Sequence, residues 1–372
     1  MKTAISGTGL YTPDQSISND ELVASFNAWV DEFNAANAAD IEAGRVAPQQ
    51  KSSSEFIEKA SGIKSRYVIE RSGILDSSRM IPIIPERPNE QPGIQCEMSV
   101  LAAQQALAEA GKSGRDVDAV IIACSNLQRP YPAVAVEVQQ ALGIDGFAYD
   151  MNVACSSATF GLQAAVNALQ TGQARAVLVI SPEICTAHLN FRDRDSHFIF
   201  GDACTAVLVE PLSEAKSNAT FEVVSTKLKT AYSNAIRNNF GFLNRTDESG
   251  IGLADKLFIQ QGRKVFKEVV PLVASLITEH LAECELNALD IKRMWLHQAN
   301  LSMNLLISKK VLGRQATEYE APVILDTYAN TSSAGSVIAL HKYKNDLVRG
   351  DVGVLCSFGA GYSAGSVILR KC

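Results

Sequence analysis

The 372-residue sequence predicts a layered α/β fold built from two similar halves. Patterns typical of buried strands alternate with amphipathic helix patterns between residues 97 and 181, and the same order returns from residue 281 onwards. Strands that are apolar on both sides are typical of sheets covered by helices on both faces. We therefore expect mainly buried strands with layers of helices around them.

The first half begins with a strand and a capped helix. Residues 1–10 are typical of a strand that enters a glycine turn, and Ser18, which precedes two acidic residues, is typical of a helix N-cap. A less regular region, about 28–95, follows and includes four prolines from Pro82 to Pro92. Such a region covers a site or a subunit interface, or it is a tolerated insertion.

The remainder of this half alternates helices and strands with short connections. The expected helices are 97–110, 134–142 and 156–170, and the expected strands are 117–124, 147–153 and 176–181. The alternation places the start of the third helix directly after a buried strand.

The second half repeats the first. Residues 107–127 align without a gap on residues 281–301, and each half then has a Ser-Ser pair that opens a small-residue helix. Cys155, 28 residues after Leu127, precedes one pair, and Asn330, 29 residues after Leu301, precedes a Thr-Ser-Ser run in the other. An internal duplication predicts two halves, 1–215 and 216–372, related by a pseudo-twofold axis. Cys155 and Asn330 then lie at corresponding helix starts.

Cys155 is a candidate nucleophile because small residues surround it where a strand turns into a helix. The partial positive charge of a helix N-terminus favours the thiolate, which lowers a thiol pKa from about 8.5. The other interpretation is a buried structural cysteine. The eight cysteines form no C-x-x-C pair and no His-spaced cluster, which argues against a zinc site and a disulfide framework.

Three further features accompany Cys155. His297 lies at the end of a second-half strand, where α/β folds bind ligands, and its first-half counterpart is Ala123, so the repeat itself does not require an imidazole. Asn330 is the second feature, and the glycine loop 357–362 is the third. Backbone N–H groups of that loop and of Cys155 could form an oxyanion hole. A structural histidine, a turn-forming asparagine and a simple hairpin are the alternatives.

Composition excludes several classes of function. The formal net charge of −6 and the absence of a basic run argue against a nucleic-acid partner. No apolar run is long enough to cross a bilayer, and the N-terminus has no signal segment, so we expect a cytoplasmic protein with no membrane contact. Papain-like proteases share the order Cys, His, Asn, but they have a different local cysteine signature and lack this duplication.

Four motifs together resemble the β-ketoacyl-acyl-carrier-protein synthase III family of the thiolase fold. They are Ala154-Cys155-Ser156, His297-Gln298-Ala299-Asn300, Asn330-Thr331-Ser332 and Phe358-Gly359-Ala360-Gly361. The resemblance implies a five-layered αβαβα sandwich, a homodimer, a catalytic triad of Cys155, His297 and Asn330, and an oxyanion hole from the amides of Cys155 and Ala360. It also implies no metal and no other cofactor.

The same resemblance implies a reaction. An acyl-CoA primer acylates Cys155, and malonyl-acyl-carrier protein then undergoes a decarboxylating Claisen condensation that initiates fatty acid synthesis. The acyl-carrier protein of the family is acidic, and Lys267, Lys309 and Lys310 match positions that dock it. A solvated lysine face is the other interpretation of those residues.

Departures from the family pattern concern CoA binding and chain length. Arg194 matches a position that contacts the CoA adenine, but Phe56 and Ala60 stand where the family has tryptophan and arginine, and Ser302 stands where it often has arginine. The insertion, about 28–95, resembles the medium-chain branch of β-ketodecanoyl-carrier-protein synthase type, which octanoyl-CoA primes. The alternatives are an acetyl-CoA-primed synthase III, an acyl-CoA-dependent acyltransferase or hydrolase on the same fold, and a non-catalytic scaffold.

Overall fold

A computed structural model describes residues 1–238, 248 and 257–372. In this part of the chain the strands are β1 Thr3–Tyr11, β2 Gln15–Ser18, β3 Ser65–Val68, β4 Ala119–Ala123, β5 Phe147–Met151, β6 Val177–Ile184, β7 Asp202–Pro211, β8 Phe221–Ser233, β9 Ile236–Asn238, β10 Phe258–Gln260, β11 Ile291–Leu296, β12 Val352–Gly359 and β13 Gly361–Lys371. The helices are α1 Asn19–Ala36, α2 Ala38–Glu42, α3 Ser54–Ser61, α4 Ser72–Leu75, α5 Ile94–Ala110, α6 Val134–Leu142, α7 Ser157–Gln170, α8 Gly262–Glu283, α9 Leu301–Leu312, α10 Leu325–Tyr328 and α11 Ala334–Lys342.

Nine strands form one sheet in the order β11-β12-β13-β8-β1-β7-β6-β4-β5. The central ladder is antiparallel and pairs Thr3, Ala4 and Ile5 of β1 with Val223, Glu222 and Phe221 of β8. Outwards from this ladder, β8, β13, β12 and β11 follow in one direction and β1, β7, β6, β4 and β5 in the other. The first four strands on each side therefore correspond, as the sequence repeat predicted, and β5 is an additional edge strand of the first half.

The strands alternate their side chains between two helix layers. In β4, Ile121 packs in a central cluster with α7 and α11, whereas Val120 and Ile122 pack in an outer cluster with α5 and α6. In β12, Leu355 joins the central cluster and Val354 joins an outer cluster with α8 and α9. Helix layers thus lie outside and between the two halves of the sheet, which gives the expected five-layered αβαβα arrangement.

Two glycines of β1 have a different role from the expected one. Gly7 and Gly9 lie inside the strand, not in a turn. A Cβ atom would lie 2.0 Å from the Ala106 carbonyl oxygen at Gly7 and 1.9 Å from the Ala102 carbonyl oxygen at Gly9. The backbone of α5 therefore approaches β1 so closely that only glycine fits.

The region 28–95 is folded and packed. Ser18 caps α1 in a capping box with Glu21, as the sequence predicted, and apolar residues such as Val30, Ile57 and Ile63 form a cluster with residues 189–200. That cluster lies beside the segment that pairs with Asn330. The predicted division at residue 215 falls between β7 and β8 and remains a prediction.

Two searches of the described residues gave negative results. None of the helices within residues 1–238 and 257–372 is long and apolar enough to cross a membrane. Over the same residues, no group of three or more His, Cys, Asp or Glu side chains could hold a metal ion.

Replacing Gly7 with alanine should destabilise the fold, because the new methyl group would overlap the α5 backbone. Overpacking of this kind costs about 1–3 kcal/mol. Urea unfolding of Gly7→Ala measures the loss. Gly262→Ala is the matched control, since the nearest heavy atom to its Cβ would be 4.0 Å away. An equal stability of the two variants would contradict the close approach of α5 and β1.

Candidate active site

Cys155 lies in the turn between β5 and α7. Ala154, immediately before it, adopts a positive φ of 48°, a conformation that costs a non-glycine residue about 1–2 kcal/mol. The Ala154 amide donates to the Asn152 side-chain oxygen at 2.9 Å, and the Ser156 amide donates to the Val153 carbonyl at 3.1 Å. These bonds hold the strained turn that presents the thiol.

Asn330 lies in the corresponding turn of the second half. Ala329 before it also has a positive φ, 54°, so the local backbone is repeated as well as the sequence. The Asn330 Oδ1 atom accepts a hydrogen bond from the Ser332 amide at 2.9 Å. Since Oδ1 is engaged in this way, the Nδ2 group is left as a donor.

Ser332 connects the two turns, and sequence reasoning missed it. Its hydroxyl donates to Cys155 Sγ at 3.2 Å, across the interface of the two halves. The Ser-Ser pair that both halves share was the one signal in the sequence. The two halves use it differently, since Ser157 of the first half donates to the Ala154 carbonyl of its own turn.

His297 follows β11 and is 2% exposed. Its amide donates to the Cys356 carbonyl at 2.8 Å, and its ring meets Phe358 edge-to-face at 5.1 Å. Burial lowers the pKa of His297 to about 4, so the imidazole is neutral near pH 7. In the described part of the chain Nδ1 has no hydrogen-bond partner.

The other two polar residues of this motif have structural roles. Gln298 bonds the Leu296 carbonyl at 2.9 Å and accepts from the Ile324 amide at 3.1 Å. Asn300 caps α9 and donates to the Ala60 carbonyl at 2.8 Å. Both therefore hold the loop around His297.

The glycine loop lies against Cys155. A Cβ atom at Gly359 would lie 2.7 Å from Cys155 Cβ and 3.2 Å from its sulfur, so this position needs glycine. The loop is tied to the nucleophile turn because Ser156 Oγ donates to the Ser363 carbonyl at 2.9 Å. Ala360, the next residue, lines a cavity together with Cys155.

The electrostatics of Cys155 differ from the sequence expectation. Burial raises the pKa of the thiol to about 12, while the Ser332 hydrogen bond acts in the opposite direction and the charge of Glu183 adds to the rise. The helix N-terminus was expected to ease ionisation, but the desolvation of the buried thiol outweighs it. Cys155 is thus a protonated thiol at rest.

Two cavities meet at Cys155. The first, of about 480 Å³, contains Cys155, His297 and Asn330 in a mainly apolar lining that includes Phe198 and Phe266. The second, of about 640 Å³, is lined by residues 125–130, Ala360 and other residues. Phe200, Ile236 and Phe258 line both cavities. The three residues of the predicted triad therefore line one cavity, and Cys155 lines the second cavity as well.

The predicted binding residues are placed differently. Lys267 lines the first cavity, whereas Lys309 and Lys310 are exposed on the last turn of α9 and line neither cavity described here. Arg194 also lines neither; its guanidinium lies 4.1 Å above the Phe56 ring, and its Nε donates to the Lys51 carbonyl at 2.8 Å. Phe56 thus occupies one face of the guanidinium.

Alkylation of Cys155 should accelerate with pH without a plateau up to pH 9. Because its pKa is about 12, the reactive thiolate fraction rises about tenfold per pH unit over this range. Iodoacetamide rates at the peptide level, with exposed Cys372 as an internal reference, measure the profile. A plateau near pH 7 would show that the helix N-terminus outweighs burial.

Comparison with known proteins places the chain in a family. A family model described as 3-oxoacyl-[acyl-carrier-protein (ACP)] synthase III matches residues 149–230, and its C-terminal model matches residues 281–371. The β-ketodecanoyl-[acyl-carrier-protein] synthase of Pseudomonas aeruginosa PAO1 is 67% identical over 93% of this chain and 99% of that protein. The β-ketoacyl-[acyl-carrier-protein] synthase III of Granulibacter bethesdensis is 29% identical over 99% of each.

Solved structures show the same fold. The 3-oxoacyl-[acyl-carrier-protein] synthase III of Aquifex aeolicus VF5 superposes with a TM-score of 0.75 at 25% identity, covering 99% of both chains. The corresponding enzyme FabH of Pseudomonas aeruginosa PAO1 gives 0.77 at 22% identity, covering 100% of this chain and 98% of that one. The expected thiolase fold is confirmed, and the chain belongs to the 3-oxoacyl-[acyl-carrier-protein] synthase III family.

Proposed function

We propose that the protein condenses an acyl-CoA primer with malonyl-acyl-carrier protein to give β-ketoacyl-acyl-carrier protein, CO₂ and CoA, and so initiates fatty acid synthesis. The observation that carries this proposal is the meeting of Cys155, His297 and Asn330 at one cavity. The names of the relatives in two species agree with it.

In the first half-reaction the Cys155 sulfur attacks the thioester carbonyl of the primer. The amides of Cys155 and Ala360 stabilise the oxyanion, since preorganised donors are worth most where charge develops. CoA leaves, and the proton of the thiol ends on the CoA sulfur. The product is an acyl-enzyme, which separates the reaction into two steps.

In the second half-reaction the malonyl thioester occupies the first cavity. Its C–C bond to the carboxylate breaks, CO₂ leaves, and the electron pair forms an enolate whose oxygen accepts hydrogen bonds from His297 and from Asn330 Nδ2. The enolate carbon attacks the acyl carbonyl on Cys155, and the sulfur leaves and takes a proton from solvent. Thiol, imidazole and amide groups carry every step, so no metal or other cofactor is used.

A medium-chain primer, such as octanoyl-CoA, is the proposed substrate. The Pseudomonas aeruginosa relative is named for a ten-carbon β-keto product, which corresponds to an eight-carbon primer extended by two carbons. The apolar walls of both cavities support an alkyl chain.

We assign Lys267 to docking of the acidic carrier protein, because it stands at the cavity wall on α8 with Arg263 close by on the same helix. Lys309 and Lys310 extend the positive surface from α9. Arg194 is proposed to contact CoA by its edge, since Phe56 covers one of its faces.

We also propose that the protein is a homodimer and lies in the cytoplasm. β5 is the last strand of the sheet, and its Phe147 and Tyr149 are each 39% exposed with stacked rings. An edge strand with exposed aromatic side chains favours pairing with a second copy.

The functional test is intact-mass measurement after exposure to acyl-CoAs from C2 to C12, followed by malonyl-acyl-carrier protein. We expect octanoyl-CoA to acylate Cys155 faster than acetyl-CoA, and the second addition to release CO₂ and β-ketodecanoyl-carrier protein. Equal labelling by acetyl-CoA would contradict the medium-chain assignment. Release of free acid without CO₂ would identify a hydrolase instead.

The triad residues should separate the two half-reactions. Cys155→Ala should lose acylation, whereas His297→Ala and Asn330→Ala should still acylate but lose condensation by about 100-fold or more, because each removes a donor to the enolate. Single-turnover acylation and CO₂ release, measured on the same preparations, test this. Loss of acylation in the His297 or Asn330 variant would reassign that residue to the first half-reaction.

A further inference from the structure

Glu183 is a fully buried carboxylate for which the proposed reaction has no direct use. It is 0% exposed near the end of β6 and lines neither of the two cavities at Cys155. Burying a carboxylate costs several kcal/mol unless donors surround it. The identity of those donors therefore indicates what the carboxylate is for.

The donors come from loops of both halves. The Ser125 amide donates to Oε1 at 2.9 Å and the Ser125 hydroxyl to Oε2 at 2.6 Å. From the second half, the Ser333 amide donates to Oε1 at 3.1 Å, and the Ser333 hydroxyl donates to the same oxygen. Cys124 Sγ lies 3.5 Å from Oε2 and Cys185 Sγ 3.8 Å from it.

Both loops belong to the candidate active site. Ser333 follows Ser332, which contacts the Cys155 sulfur, and it lies three residues after Asn330. Ser125 lines the second cavity together with Cys155. One carboxylate thus joins the loop that carries the enolate donor to a wall of the opposite half.

The pseudo-twofold relation makes this position informative. Glu183 pairs with Ala203 of β7, eight residues before the strand end at Pro211, and Gly359 pairs with Ser363 of β13, eight residues before the strand end at Lys371. Glu183 and Gly359 are therefore counterparts. Gly359 leaves room for Cys155, whereas Glu183 fills the equivalent space and binds the Asn330 loop.

We propose that Glu183 is a positioning residue that holds the loop of Asn330 and Ser332 in the geometry required for malonyl decarboxylation. This rests on the proposed condensing function. Its contacts reach the Asn330 loop directly, whereas they reach the nucleophile turn indirectly, through Ser332 and through Ser125, whose carbonyl accepts from Asn152 Nδ2 at 2.9 Å. Decarboxylation therefore depends on Glu183 more strongly than acylation does.

The test compares Glu183→Gln with wild type in the two half-reactions. The amide keeps the size of the side chain but replaces one acceptor oxygen with an N–H donor, which weakens the contact with the four donors of Ser125 and Ser333. We expect near-normal acylation by octanoyl-CoA, an unchanged KM for malonyl-acyl-carrier protein, and a kcat for condensation lowered about 100-fold, the typical effect of a misplacement near 1 Å.

Two further variants keep the test decisive. Ser333→Ala removes a hydroxyl from the other end of the same contact and should give the same split with a smaller loss. Glu210→Gln is the matched control, since Glu210 is also buried but lies near the opposite end of β7, where its Oε2 pairs with Lys112 at 2.9 Å. Acylation and condensation falling together in Glu183→Gln, no loss at all, or the same split in Glu210→Gln would each overturn the proposal.

Failure of the proposed condensing function can be distinguished from failure of the proposed role of Glu183. If wild type does not release CO₂ from malonyl-acyl-carrier protein, the condensing function is wrong whatever the variants do. Hydrogen exchange of the segment 330–335, measured without substrate, then still tests the loop contact. Exchange should be faster in Glu183→Gln and unchanged in Glu210→Gln, and equal rates in wild type and Glu183→Gln would overturn the role of Glu183.

Discussion

The antiparallel ladder between β1 and β8 is the contact on which the candidate active site depends. It sets the two halves of the sheet in register around a pseudo-twofold axis. The turns after β5 and before α11 then converge, so that Ser332 reaches Cys155 although 177 residues separate them. Neither half contains all three residues of the candidate triad, since Cys155 comes from the first half and His297 and Asn330 come from the second.

Burial gives this site its chemical character. Cys155 is a protonated thiol and His297 a neutral imidazole, and the same desolvation produces both states. A neutral pair attracts no buried counterion, and in a mainly apolar cavity hydrogen bonds to a developing oxyanion or enolate are strong. In the proposed reaction the negative charge therefore develops on an oxygen of the substrate, close to the proposed hydrogen-bond donors.

The sequence predicted the parts of this arrangement that depend on local pattern. Strand and helix periods, the cap at Ser18 and the pairing of Cys155 with Asn330 follow from spacing along the chain, and the structure contains them. The contact between Glu183 and Ser333 joins residues 150 positions apart, and no local pattern indicates it. The roles of Gly7 and Gly9 were misjudged because a glycine in a turn and a glycine under a helix have the same sequence signature.

The two halves have different residues at corresponding positions, and these differences give the halves different roles in the proposed reaction. Ala123 of the first half corresponds to His297 of the second, so the imidazole that we propose as an enolate donor is present in one half alone. Glu183 corresponds to Gly359, so one turn is held rigidly while the other is open to an acyl group. A symmetric pair of sites would offer either two nucleophiles or two sets of donors. Because the proposed nucleophile comes from one half and the proposed donors from the other, we expect one acyl chain and one malonyl unit to meet at a single sulfur.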